Sequence, residues 1–415
     1  MTASRASGTD TGWRVTRHPG IDDLFKSEVN RSNALCYLLQ EWSWTRGFPY
    51  TPNMATVFLD GSFVDTSSAK ISAFDAGFQH GVGLFETMLA VRSSSGEAAV
   101  VLHMDEHLQR ISRSAASLGL SKSMRIGALG EAVRRTVEKA VAESQDTARF
   151  RIRVTISGGD LNLLSASRPS QQGSGSSQAE HSPTLLIHVQ PAAMYPAEMF
   201  TQGVLVTIAD WKANPLDAFQ GHKTLNYWPR LRELQIAAGK RASEALVFQV
   251  TNYLAGGCVS NALVVKNGVV YSPIARGEEE DVLAESEMGR DAKSGSSSRQ
   301  ATDDNDSESL SDEGDLKVNN YDAAPKGAAI PSPVLPGVVR KWAMDMAESQ
   351  GIRCERRMLT IHDVLGADEV MLTNSSWGVL PVVAVEANVI GDGHVGKIAG
   401  HLVDAWQNLT DGNRS

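Results

Sequence analysis

Lys223 stands in the stretch Gly221-His222-Lys223-Thr224-Leu225-Asn226-Tyr227, just ahead of an amphipathic run that opens near Trp228. Pro229 suits the first turn of a helix, so the lysine falls in a loop or strand end before it. Most lysines are solvated surface charges. One partly withdrawn from water has a lowered amine pKa, the state in which it attacks a carbonyl carbon and forms a Schiff base. Further along, Leu335-Pro336-Gly337-Val338-Val339-Arg340 leads into a second predicted helix. Its first N–H groups lack intrahelical acceptors, so an anion could rest on the amides of Val338 and Val339. Thr373-Asn374-Ser375-Ser376 follows a predicted strand and offers hydroxyls and amides in a row; by itself it is a polar loop.

Two further stretches carry unusual residues. Between Phe74 and Thr87, Gly77, Gly81 and Gly83 permit close backbone approach, and Glu86 lies within an apolar run. The stretch has neither the Gly-Lys-Ser/Thr of a P-loop nor a Gly-x-Gly-x-x-Gly between strand and helix, which excludes a dinucleotide site there. Arg110, on a predicted helix face with His107, is a candidate fork for phosphate or carboxylate; a surface ion pair is its ordinary alternative.

The elements that must position these residues follow from periodicity. Asp60-Gly61 within Thr56–Val64 is a strong hairpin signal. Helical patterns cover 103–120 and 127–143, and Arg149–Ser157 alternates so that Ile152, Val154 and Ile156 share one face. These make a small α+β domain over 55–164. A Ser/Gly/Gln-rich linker spans 165–183, and a larger mixed domain over 184–275 and 327–410 holds strands near 184–191, 203–210, 244–250 and 262–273. Helices are expected from Trp228 and Pro336, and a last one reaches Leu409. The acidic, Ser-rich segment 276–326 reads as a disordered insertion, since it has too little apolar surface to offset the entropy of ordering. Residues 1–54 read as a partly ordered extension with an aromatic cluster, Trp42, Trp44, Phe48 and Tyr50.

Composition narrows the function classes. A chain of 415 residues with formal charge -9 lacks the basic footprint of nucleic-acid or anionic-membrane binding, and no apolar run is long enough for a membrane span. Cys36, Cys258 and Cys354 stand apart, with no CxxC or His pairing, which fits neither a disulfide framework nor a zinc site. A cytoplasmic protein with a small-molecule ligand is the expectation.

Taken in order, the DG hairpin, FDAGFQHGVGLFET, EHLQR, KTLNY, SN before an NG hairpin, PG before a helix and ADEVMLTNS with a downstream proline resemble the signature of class-IV (fold-type IV) aminotransferases. The resemblance runs from Thr56 to Asp404 apart from the two polar insertions. It implies a two-domain fold-type IV architecture and a pyridoxal 5'-phosphate cofactor bound as a Schiff base to Lys223. It also implies phosphate contacts from Arg110, the Val338 and Val339 amides and Ser375, a tyrosine beside the pyridine ring at Tyr227, and a homodimer. Arg153 matches a family arginine and, with Thr87, is expected near the substrate.

Three positions depart from the pattern. Where the family has a glutamate on the pyridine nitrogen this chain has Gly256; the threonine after PG is Val339; the arginine closing FETxR is Leu89. The first weakens the electron sink and so bears on turnover. Branched-chain aminotransferases read FEG and K-x-G-G-N, whereas D-amino-acid aminotransferases and 4-amino-4-deoxychorismate lyases share FET and K-x-L-N. The loop TNSSWGVLP is most similar to the lyases. An aminotransferase acting on a small amino acid is the first expectation, the lyase the alternative, and a cofactor-binding descendant with reduced or lost catalysis a further one.

Overall fold

The computed structural model describes residues 55–93, 96, 98–160, 183–282 and 330–411. The N-terminal extension with its aromatic cluster, nearly all of the polar linker, and the acidic segment from 283 to 326 lie outside the described residues.

Asp60 and Gly61 both take positive φ, 45° and 93°, and close the tight turn that their sequence predicts between β1 (Thr56–Leu59) and β2 (Ser62–Val64). After the short helix α1 (Ala76–His80) come β3 (Gly83–Arg92) and β4 (Ala99–Val101), then helices α2 (Met104–Ser117) and α3 (Ile126–Glu143), β5 (Arg149–Ser157) and β6 (Leu185–Pro191). The six strands form one antiparallel sheet in the order β2-β1-β6-β5-β3-β4. Every second residue turns one way, so Leu84, Met88, Ile152, Val154 and Ile187 meet Leu108, Ile111, Val133 and Val137 of α2 and α3 in a core.

The strand Leu185–Pro191, expected in the larger domain, belongs instead to this first sheet, where it sits between β1 and β5. The boundary therefore falls after Pro191. Alternation identifies a strand but not its partner; here the chain returns from the insertion to pair with residues far back in sequence, Phe58 with Ile187 and Ile152 with Val189.

The second sheet is mixed: β7 (Val204–Ala213), β8 (Glu244–Gln249), β9 (Leu254–Gly257), β10 (Asn261–Lys266), β11 (Val269–Ser272), β12 (Cys354–Arg356), β13 (Glu369–Asn374) and β14 (Gly378–Val385), with β15 (Asn388–Val389) paired to β14. Its helices are α4 (Glu198–Thr201), α5 (Trp228–Gly239), α6 (Val338–Ser349), α7 (Ile361–Leu365) and α8 (Lys397–Thr410). α6 and α8 lay Ala343, Ala347, Leu402 and Val403 on Leu263, Val265, Met371 and Val379. Residues 276–282, expected to be disordered with the rest of the acidic segment, are placed. The Glu278 carboxylate accepts from Nη1 and Nη2 of Arg340, at 2.9 and 2.7 Å, and Arg340 is buried on α6. Average composition carries no trace of one specific buried partner, which is why the acidic run misled there. Among the described residues no helix is long and apolar enough to cross a membrane.

The two sheets meet on β3. One edge of this strand is filled along its length by β5, while β4 takes only Ala90–Arg92 of the other. The open stretch is taken by the lysine segment: Phe85 N donates to Lys223 O at 2.9 Å and Leu225 N to Gly83 O at 3.0 Å. A Cβ on Gly83 would lie 2.6 Å from both the Ile156 carbonyl oxygen and Leu225 Cδ1. Gly83→Ala should therefore cost roughly 1–3 kcal/mol, the range for overpacking a tight site. Urea unfolding checks this, and wild-type stability in the variant would show that the segment docks loosely.

Candidate active site

The alternation of β3 places consecutive residues on opposite faces. Glu86 shares the helix-facing side with Leu84 and Met88, in the midst of the core, and is 1% exposed. Such a carboxylate must be paired. Arg110 Nε donates to Oε1 at 2.8 Å and Nη2 to Oε2 at 2.6 Å, a two-pronged contact, and His107 Nδ1 lies 2.8 Å from Oε2. Burial alone would raise the Glu86 pKa, but the Arg110 charge and the His107 hydrogen bond outweigh it and bring the pKa down to about 2. Burial also lowers the His107 pKa. A neutral His107 then donates from Nδ1 to Glu86 and accepts at Nε2 from the Ser375 hydroxyl, 3.2 Å away.

His107, Arg110 and Ser114 follow one another on a single face of α2, and each reaches a different part of the chain beyond the linker. His107 meets Ser375, Arg110 Nη1 donates to Pro336 O at 3.0 Å, and Ser114 Oγ lies 2.9 Å from His222 Nδ1. The arginine forecast as a phosphate ligand is thus held mainly by Glu86, with one hydrogen on each terminal nitrogen left over.

On the opposite face of β3, the Phe85 ring gathers the other predicted residues. Lys223 Nζ is 4.5 Å from its centroid, Arg153 Cζ 3.9 Å, and the Tyr227 ring meets it edge-on at 5.1 Å. Thr87 lies directly across from Arg153 in register. Among the described residues the Lys223 amine has no hydrogen-bond acceptor, only the Phe85 and Tyr227 rings, the second at 5.6 Å. Burial lowers its pKa, the Arg110 and Arg153 charges push the same way, and Tyr227 and Glu86 oppose. Burial and neighbouring Arg151 bring Arg153 down to about 10 and, with Arg153, His188 to about 4.

The helix α6 begins at Gly337, which caps it without any side-chain hydrogen bond. The Val338 and Val339 side chains are buried, so their amides are what they can present to an anion. Asn261 Nδ2 donates to Leu335 O at 2.8 Å and fixes the approach to the helix. Gly256 lies on β9 with φ of +135°, a conformation disfavoured for any side chain, and a Cβ there would be 3.0 Å from Ser260 O. The absent carboxylate is therefore matched by a backbone that does not readily accept one.

The sequence and the fold have known counterparts. Residues 83–283 and 328–385, more than half of the chain, match the family model described as amino-transferase class IV. This chain belongs to that family. Among its relatives, a Methanocaldococcus jannaschii protein assigned as a branched-chain-amino-acid aminotransferase is 24% identical, over 85% of this chain and 96% of its own. The D-alanine aminotransferase of Staphylococcus epidermidis is 24% identical, over 85% and 97%. The Escherichia coli branched-chain amino acid aminotransferase superposes with a TM-score of 0.63 at 21% identity, covering 87% of this chain and 96% of that one. The 4-amino-4-deoxychorismate lyase of Pseudomonas aeruginosa gives 0.58 at 20%, covering 86% and 99%. The fold is thus the α+β fold of class-IV aminotransferases, as the motifs implied.

Within this class-IV site, motif and spacing assigned no role to Glu86, to the bond between His107 and Ser375, or to Asn261. The one available signal was a lone carboxylate in an apolar strand, with an arginine and a histidine three residues apart on the next helix. Glu86→Ala, which leaves Arg110 buried and unpaired, should destabilise by roughly 3–5 kcal/mol. The Glu86 pKa falls on folding, so its contribution is complete above about 4.5 and is lost as pH falls towards about 2. Denaturant titrations across that window should show the slope in wild type and its reduction in Glu86→Gln; equal slopes would remove Glu86 from this role.

Proposed function

We propose that this chain carries pyridoxal 5'-phosphate on Lys223 and transfers the amino group of a small amino acid. The observation that carries the reading is the Lys223 amine, withdrawn from water, its pKa lowered, and without a hydrogen-bond acceptor among the described residues. Such an amine is poised for a carbonyl carbon. Another solved branched-chain amino acid aminotransferase is described with pyridoxamine 5'-phosphate, and its TM-score of 0.62 at 19% identity supports a common scaffold.

The residues present suit such a cofactor. The start of α6, without a side-chain cap, offers the Val338 and Val339 amides to its phosphate, joined by the spare Arg110 hydrogens and, since the Ser375 hydroxyl hydrogen goes to His107, by the Ser375 amide of the adjoining loop. Tyr227 and Phe85 wall the lysine with their rings. When bound, the cofactor supplies an aldehyde for the amine and a ring that draws electrons from the substrate Cα. The Lys223 amine would be the base and acid that moves the substrate Cα proton. Arg153 and Thr87, across from each other on the Phe85 side of the sheet, orient the substrate carboxylate.

A second reading, 4-amino-4-deoxychorismate lyase, is favoured by Gly256 and by the loop TNSSWGVLP. Elimination of pyruvate to form an aromatic amine has a driving force of its own and leans less on the cofactor ring. The exposed Phe74, Phe78, Leu216, Phe219 and Trp228 on the segments flanking Lys223 support a homodimer, and the free thiols of Cys258 and Cys354 fit a reducing cytoplasm.

Protein loaded with cofactor should show the absorbance of a lysine-bound cofactor, and Lys223→Ala should lose it while keeping wild-type far-UV dichroism. D-alanine or a branched-chain amino acid with 2-oxoglutarate should yield a new amino acid if the first reading is right. Pyruvate from aminodeoxychorismate without any acceptor marks the lyase. Cofactor absorbance with no turnover on any of these would identify a binding protein with lost catalysis.

A further inference from the structure

The position from which the family's ring-nitrogen carboxylate rises is Gly256, and the carbonyls that follow it receive a cation. Arg230, in the first turn of α5, donates from Nη1 to Gly257 O and to Cys258 O, each at 3.2 Å, the two carbonyls that directly follow Gly256. Its guanidinium carbon lies 5.3 Å from the Trp211 ring centroid and 5.8 Å from that of Tyr227. Tyr227 also has the Lys223 amine 5.6 Å from its centroid, so the arginine and the lysine border the same aromatic wall. Both carbonyl contacts use Nη1; the Nε and Nη2 hydrogens have no acceptor among the described residues.

The acid inside this turn is already committed. Glu244 is fully buried and accepts from the amides of Ala245, Cys258 and Val259 and from the Ser260 hydroxyl, at 3.0–3.1 Å. Its oxygens hold the turn together.

We propose that Arg230 is the ring-nitrogen partner of the cofactor in this chain: a guanidinium that donates to an unprotonated pyridine nitrogen where relatives place a carboxylate. The inference rests on the cofactor reading above. A guanidinium does not surrender its proton to a pyridine, so the nitrogen remains an acceptor and the ring withdraws electrons less strongly. Arg230 is a positioning residue, acting on the cofactor rather than on substrate. The chemistry it suits is one in which the product's own stability drives the reaction.

The test compares binding of pyridoxal 5'-phosphate with that of its analogue bearing C–H in place of the ring nitrogen. Wild type should bind the analogue at least about tenfold more weakly, the scale of one hydrogen bond from a charged donor. Arg230→Ala should bind both alike, and Arg230→Lys should recover part of the preference. Nitrogen NMR of cofactor labelled at the ring nitrogen should report an unprotonated nitrogen in wild-type holoenzyme. A protonated nitrogen, or equal affinity of wild type for the two molecules, overturns the assignment. So does an Arg230→Ala variant that loses affinity for both by the same factor, the mark of an arginine that only braces the turn. Each of these leaves the cofactor reading standing; failure of wild type to bind pyridoxal 5'-phosphate at all removes both.

Discussion

A carboxylate inside an apolar core is tolerated only when its charge is answered, and the answer to Glu86 organises this molecule. Its two-pronged contact with Arg110 and its bond to His107 lie between β3 and α2, within the first domain's core. The same two α2 residues reach outward, Arg110 to the Pro336 carbonyl and His107 to Ser375. A buried ion pair thus sets the positions of two segments of the second domain. The geometry is held because all three side chains are buried and the Glu86 charge is answered by the other two.

The candidate site is the other side of the same strand. Adjacent residues of a strand face opposite ways, so locking Glu86 towards the helices turns Phe85 and Thr87 to the opposite face. The backbone of Phe85 also receives Lys223, and its ring carries the Lys223 and Arg153 cations. A guanidinium beside an amine of lowered pKa that has no acceptor among the described residues is a setting suited to an anionic, carbonyl-bearing ligand. The family membership and the chemistry of the site agree on this point without depending on each other.

The corner around Gly256 combines several features that bear on its charge. The φ of Gly256 disfavours a side chain, the Glu244 oxygens are taken up by the amides of the turn, and Arg230 braces the carbonyls that follow.

The order of motifs, the DG and NG turns, the helix starts at Trp228 and Val338 and the class-IV fold were legible in the sequence, because turn chemistry and periodicity are local properties of the chain. The motif also singled out Lys223, whose part in holding the cofactor is a proposal. Which sheet Leu185–Pro191 would join was not legible, nor that Glu278 would be pinned by Arg340, because both depend on partners far away in sequence. Motifs name the residues near a cofactor but not what those residues already hold. That Arg110 is held mainly by Glu86, that Ser375 leans on His107 and that Arg230 braces the turn after Gly256 were decided by the tertiary structure. Burial makes every polar atom find a partner, and the partner is chosen by packing rather than by spacing along the chain.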